Sequence, residues 1–282
     1  MNKGKAKKRR VYGAGEIVWL VILFGLAAMI IYPLFWILMS SFKDYQGIYG
    51  DVWGLPGVWH VENYMTAWNK GISQYFINSA IVTLATIAGV VFTASFAAFG
   101  ICQLMGPLGN AIFLLCMCGL LLSPQVCLLP LFMLLRTLKL KNTLFAMILP
   151  YIAFRLPVSI MMIRSFFVGI SKELEEAATI DGASLFQIYQ NIYLPLSKPI
   201  LSTVVIMTAY YGWNEFMFAT IFVDSSKLRT IPVGLMTFRD GLMTEWGVVL
   251  AGMVIACVPI MTLFLLMQKS FVRGMTAGSV KG

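Results

Sequence analysis

A few side chains able to bind, ionise or donate hydrogen bonds stand in otherwise apolar stretches of this chain. They are Asn78, Gln125, Tyr151, Arg155, Tyr210, Trp213, Asn214 and Glu215. Polar and ionisable groups in such surroundings are costly in lipid, and they usually face a helix-bundle interior or a water-filled path. Asn214 and Glu215 are the most informative pair, because a carboxylate in an apolar run requires a partner or water. Two chemistries fit them. Either this stretch lines a path and touches the hydroxyls of a solute, or Glu215 pairs with a cation such as Arg155 and fixes helix packing. Arg155 precedes Leu156-Pro157, so it could stand near a helix break, either snorkelling or held in a structural ion pair. Tyr210 and Trp213 read equally well as packing aromatics or membrane-interface anchors.

Other chemistries find little support. His60 is the one histidine, and it lies in a loop segment. Cys102, Cys116, Cys118, Cys127 and Cys257 sit in or beside apolar runs, without the spacing of a disulfide framework or a zinc site. Gly274 to Gly278 is glycine-rich, but no strand precedes it and the GxxxxGK[ST] pattern of a phosphate cradle is absent. No paired constellation suggests an intramembrane enzyme. The 18 methionines are scattered through the apolar runs and read as adaptable packing.

The elements that must carry these residues are membrane helices. Apolar residues make up 59% of the 282 and charged residues 12%, with a mean hydropathy of +0.83. A soluble domain carries about 25% charged residues. Crossing an apolar core of ~30 Å takes about 20 residues of helix. Six apolar segments qualify, over residues 17–42, 76–102, 111–135, 144–167, 200–223 and 246–267. The expected fold is therefore an all-α membrane protein, with Pro33, Pro124 and Pro130 as its kink points.

The net charge of +9 is concentrated in Lys3, Lys5, Lys7, Lys8, Arg9 and Arg10. Ahead of an apolar run too long for a signal peptide, such a cluster is a topology signal that stays inside, and it does not call for nucleic acid. An even number of spans returns the C-terminus to the inside. Arg164, Lys172, Lys198, Lys269, Arg273 and Lys281 then lie inside, while Arg136, Lys139 and Lys141 form an outward cluster against the rule. The expected organisation is a basic tail at 1–15, a membrane domain at 16–270 and a tail at 271–282. Residues 43–75 form an outside loop rich in Gly, Trp and Tyr, without a strong helical or strand period.

The inside connection at about 171–198 carries the most information. Ser171 is placed to cap a helix, and Glu173 lies in its first turn, where a carboxylate suits the dipole. Leu174, Ala177 and Ala178 share one face, and Gly182 permits a sharp turn. A second amphipathic segment with Leu185, Ile188, Tyr189 and Ile192 ends at Leu194-Pro195. This is a helix–turn–helix, and as a docking element or a plain connector the residues alone leave it open.

Glu176-Ala177-Ala178, three residues, Gly182, nine residues and Ile192-x-Leu194-Pro195 together resemble the EAA motif of permeases in the ATP-binding-cassette importer family. The resemblance implies the six-helix type I importer fold, with a cytoplasmic coupling helix between the fourth and fifth spans. It implies that Glu175, Glu176, Ala177, Ala178, Asp181, Gly182 and Ala183 meet a cytosolic ATPase. The tail from Phe271 to Gly282, the run Trp213-Asn214-Glu215-Phe216 and Leu149-Pro150-Tyr151 resemble the carbohydrate branch. On that resemblance the partners are a second, different permease subunit, two ATPase subunits and an extracytoplasmic sugar-binding protein, received in part by the outside loop. ATP and Mg belong on the ATPase, with no cofactor on this chain, and the location is a bacterial cytoplasmic membrane. Rival readings are a permease for another solute, such as a polyamine or phosphate, and a self-sufficient channel or carrier.

Overall fold

The computed structural model describes residues 14–103, 107–238 and 244–277, with side chains from Gly15 to Gln268 within those ranges. The basic cluster at 3–10, Arg239 and residues 278–282 lie outside the described residues. Those described are helical, with no strand. The first helix, α1 (Ala14–Ser40), runs unbroken through Pro33. Residues 43–75, expected to be irregular, instead hold two short helices, α2 (Tyr45–Gly50) and α3 (Glu62–Ala67), and a π turn over Trp68–Ile72. Local devices build them without any long period: Asp44 caps α2 by accepting from the Gly47 amide at 2.8 Å. Gly71, at φ +125°, bends the chain into α4 (Ser73–Gln103).

The third expected span is broken. Helix α5 (Pro107–Cys118) continues into a single 3₁₀ turn, and α6 (Pro124–Thr137) leaves at 97° to it. The cause is Pro124, because a proline ring disfavours helical backbone in the residue before it. Ser123 is accordingly extended, at φ −70° and ψ 132°. Pro130 lies inside α6 without interrupting it.

The fourth span is α7 (Phe145–Phe167), followed by α8 (Lys172–Ile180) and α9 (Leu185–Ile188). A π turn over Tyr189–Tyr193 and the single turn α10 (Leu194–Leu196) lead into α11 (Lys198–Asn214). The fifth expected span, 200–223, is also interrupted: α11 stops at Asn214, Glu215 is extended, and α12 (Met217–Phe222) begins anew. After α13 (Ile231–Met236) the chain closes with α14 (Trp246–Ala277). Among the described residues four helices are long and apolar enough to cross a membrane, or up to six if each bent pair is one span.

Helix α4 lies along α7, and α11 packs against both α4 and α14. Two buried clusters occupy opposite ends of this group. One gathers Val90, Ala94, Phe99, Ile163, Phe167, Tyr189 and Tyr193 beside the 171–198 loop. The other gathers Val82, Met147, Tyr151, Phe218 and Phe222, where α7 meets α12. Beyond the second cluster, Asn142 Oδ1 accepts from the amides of Asp224 and Ser225, and Lys141 pairs with Asp224 at 2.8 Å.

Candidate functional site

Two places gather the residues singled out by the sequence: the 171–198 loop and a cavity between α7, α11 and α14. In the loop, Ser171 caps α8 by accepting from the Glu173 amide at 3.3 Å. The helix ends in two paired backbone bonds, Gly182 N–H to Thr179 O at 3.0 Å and Ala183 N–H to Ala178 O at 2.9 Å. That pairing defines a Schellman motif, which needs a left-handed residue at its turn. Gly182 supplies it at φ +82°. Ser184 then opens α9 with a capping box shared with Gln187.

The loop is anchored on one side and bare on the other. Tyr193 donates to Glu175 Oε2 at 2.8 Å and packs its ring edge-on against Phe99 and Phe167, both at 5.0 Å. Tyr189 shares a 2.7 Å hydrogen bond with Ser95 on α4. Ala178 and Ala183 are half-buried against the same cluster. Glu176, Ala177, Asp181 and Gly182 are exposed, and Ile180 is 86% exposed beside exposed Leu174, Leu185 and Phe186. Glu175, grouped with its neighbours as an outward contact in the sequence, therefore turns inward to fasten α8 to the segment entering α11.

The cavity has a volume of about 770 Å³, and Arg155, Tyr210, Tyr211, Asn214 and Glu215 form its polar lining. Ile206, Met207, Ile260 and Leu263 contribute apolar wall. Glu215 sits in the break between α11 and α12 because it caps the second helix. Its Oε1 accepts from the Phe218 amide at 2.8 Å and its Oε2 from the Ala219 amide at 3.2 Å. Tyr151, fully buried on α7, donates to the same Oε2. The pairing with Arg155 is not made: among the described residues no carboxylate stands within 4.0 Å of that guanidinium. Arg155 lies instead over the Tyr211 ring, 5.4 Å from its centroid, and its buried Nε has no hydrogen-bond partner.

The other candidates are placed elsewhere. Asn78 is buried and donates to the carbonyls of Lys227 and Arg229 at 2.8 and 2.9 Å, holding the loop before α13. Gln125 is exposed at the α5–α6 break, bonded to Ser123. Trp213 is buried and donates to the Ala256 carbonyl at 2.9 Å, joining α11 to α14. Tyr151 is outside the lining and touches two of its residues, bonding to Glu215 and packing edge-on against Tyr211. Tyr211 was not singled out. Its place one turn before Glu215, beside Tyr210, was the available signal.

Long apolar helices, two of them broken around polar residues, with a mostly apolar cavity between three, are those of a multi-pass membrane protein. Residues 90–277 match the family model described as "Binding-protein-dependent transport system inner membrane component". The chain is 53% identical to the probable ABC transporter permease protein YurM of Bacillus subtilis, over 99% of this chain and 93% of that protein. It is 35% identical to the trehalose/maltose transport system permease protein MalG of Thermococcus litoralis, over 91% and 94% respectively. Its fold is that of a chain in the crystal structure of a bacterial ABC transporter that imports the acidic polysaccharide alginate. That match has a TM-score of 0.81 at 21% identity, covering 93% of this chain and 100% of the other. The chain belongs to the family of binding-protein-dependent transport system inner membrane components, as an ABC transporter permease.

Proposed function

We propose that the chain is the permease subunit of an importer for a sugar or oligosaccharide. An extracytoplasmic binding protein delivers the solute, a second permease subunit completes the path, and two ATPase subunits that hold ATP and Mg drive it. Both termini and the 171–198 loop lie on the cytoplasmic side of a bacterial cytoplasmic membrane. Sugar as the class follows from the named roles of relatives. Besides the trehalose/maltose permease, the chain is 28% identical to a diacetylchitobiose uptake permease of Streptomyces coelicolor and 29% to an arabinooligosaccharide permease of Bacillus subtilis.

The observation that carries this reading is the loop's exposed helix. Ile180 and Leu174 on α8, and Leu185 and Phe186 just beyond, are exposed apolar side chains on a loop that also exposes Glu176 and Asp181. Several large apolar side chains left exposed on one short loop fit an interaction surface. A groove on the ATPase would cover it, and ATP-driven closure would press on α8. Glu175 and Tyr193 pass that displacement to α11, and the Tyr189–Ser95 bond passes it to α4. The cavity at α7, α11 and α14 is then the stretch of path that opens and closes.

The test is purification of the chain with its partners, and ATPase assay of wild type beside Gly182→Asp. An ATPase that co-purifies with wild type and is lost or uncoupled in the variant is the expected result. A chain that purifies without any ATPase, unaffected by the substitution, would favour a channel or carrier. Uptake of labelled maltose, trehalose, diacetylchitobiose and arabino-oligosaccharides then sorts the sugars.

A further inference from the structure

The cavity presents a cation that nothing in the described structure balances. Arg155 projects from the middle of α7, with Nε buried and without a partner and its guanidinium against the face of Tyr211. Glu215, the carboxylate in the same lining, is engaged elsewhere: the amides of Phe218 and Ala219 and the hydroxyl of Tyr151 occupy its oxygens. Tyr211 holds the guanidinium plane by cation–π attraction but cannot accept its N–H groups in the manner of an oxyanion. The surrounding wall is apolar, with Ile206, Met207, Ile260 and Leu263. An unpaired arginine at this depth is costly and marks a path or a ligand. Its planar fork matches a carboxylate through two parallel hydrogen bonds.

The rest of the lining offers a few polar groups in a mostly apolar wall. Asn214, in the lining, donates its amide to the Tyr210 carbonyl at 2.8 Å and keeps its Oδ1 as an acceptor. The rings of Tyr210 and Tyr211 add flat apolar surface with hydroxyl tips. At about 770 Å³ the space is within the range of a pocket for a small ligand, which runs to roughly 1,000 Å³.

We propose that this cavity binds a hydroxylated solute carrying a carboxylate, with Arg155 taking the carboxylate and setting the preference for charged over neutral sugars. The proposal rests on the reading of the chain as a sugar importer, which it narrows to acidic sugars or their conjugates. Arg155 belongs to the binding step and not to the coupling loop.

The experiment measures binding to the purified complex in nanodiscs of zwitterionic lipid, using two matched pairs: glucuronate against glucose, and cellobiouronate against cellobiose. Each pair differs by one carboxylate on the same skeleton. Wild type is expected to favour the charged member by about tenfold or more, the scale of a charge-assisted hydrogen bond. Arg155→Gln should erase that preference and Arg155→Lys should keep part of it, with thermal unfolding confirming that both variants fold. Equal binding of charged and neutral members by wild type overturns the proposal, as does a preference that survives Arg155→Gln. Loss of the second permease subunit from Arg155→Gln would also overturn it, because the cation would then be answering a partner chain. A wild-type complex without ATPase activity would sink the importer reading separately, since the binding comparison does not depend on hydrolysis.

Discussion

Glu175 and Glu215 each accept a hydrogen bond from a tyrosine hydroxyl, yet their surroundings have little else in common. Glu175 lies on α8, half-exposed, and its donor Tyr193 is 18 residues further along the chain. Glu215 lies in the break of the fifth span, and its donor Tyr151 is 64 residues earlier, fully buried on α7. Water stands ready to replace Tyr193 at the first site. At the second, two backbone amides also depend on the carboxylate. The same contact is thus the one tie on its carboxylate in the loop and one of three beside the cavity, where losing the acceptor strands more donors.

Substitution can break this contrast. The largest effect is expected from Glu215→Ala, which strands Tyr151 and the amides of Phe218 and Ala219. Thermal or denaturant unfolding of the purified complex should show a loss of about 3 kcal/mol or more. Glu215→Gln keeps an acceptor and should lose roughly 1 kcal/mol. If it also leaves transport intact, Glu215 is a helix cap with no part in the path. Next in size is Gly182→Ala. Residue 182 sits at φ +82° with open space around a Cβ, so the penalty is backbone strain of about 1–2 kcal/mol without a clash. Gly182→Asn should be milder, since asparagine visits this region of backbone space, and equal loss in both variants would point to a contact surface rather than strain. Tyr193→Phe should have the smallest effect on stability, under about 1 kcal/mol. Its mark should be fewer solutes moved per ATP hydrolysed, and an unchanged ratio would remove Tyr193 from the transmission route.

The same contrast decides what the sequence could disclose. Ser171, Glu173 and Gly182 act within a turn or two of their own positions, so spacing alone placed the α8 cap and the sharp turn. The second segment, expected to end at Leu194-Pro195, instead runs through them to Leu196 and bends at Ser197. The cavity is assembled from α7, α11 and α14, and only packing brings Arg155 over Tyr211. Arg155, Tyr210, Asn214 and Glu215 stood out as costly groups in apolar runs, and they do share one lining. Asn78 and Gln125 stood out on the same ground and do not, because local carbonyls and Ser123 already occupy them. Hydropathy found the apolar segments but not the breaks at Ser123 and Glu215. Those depend on one proline and one carboxylate, which a long average does not register.

The break at Glu215 also bears on how the bundle moves. Had Glu215 been joined to Arg155, drawing α11 away from α7 would have meant pulling opposite charges apart in a medium of low polarity. Instead its carboxylate is held by amides of its own next turn, which travel with it. Across the gap to α7 the Tyr151 hydroxyl reaches this carboxylate, while Tyr151 and Arg155 pack on the Tyr211 ring. The seam between these two helices is therefore held by one hydrogen bond together with aromatic and cation–π packing on Tyr211, with no ion pair across it among the described residues.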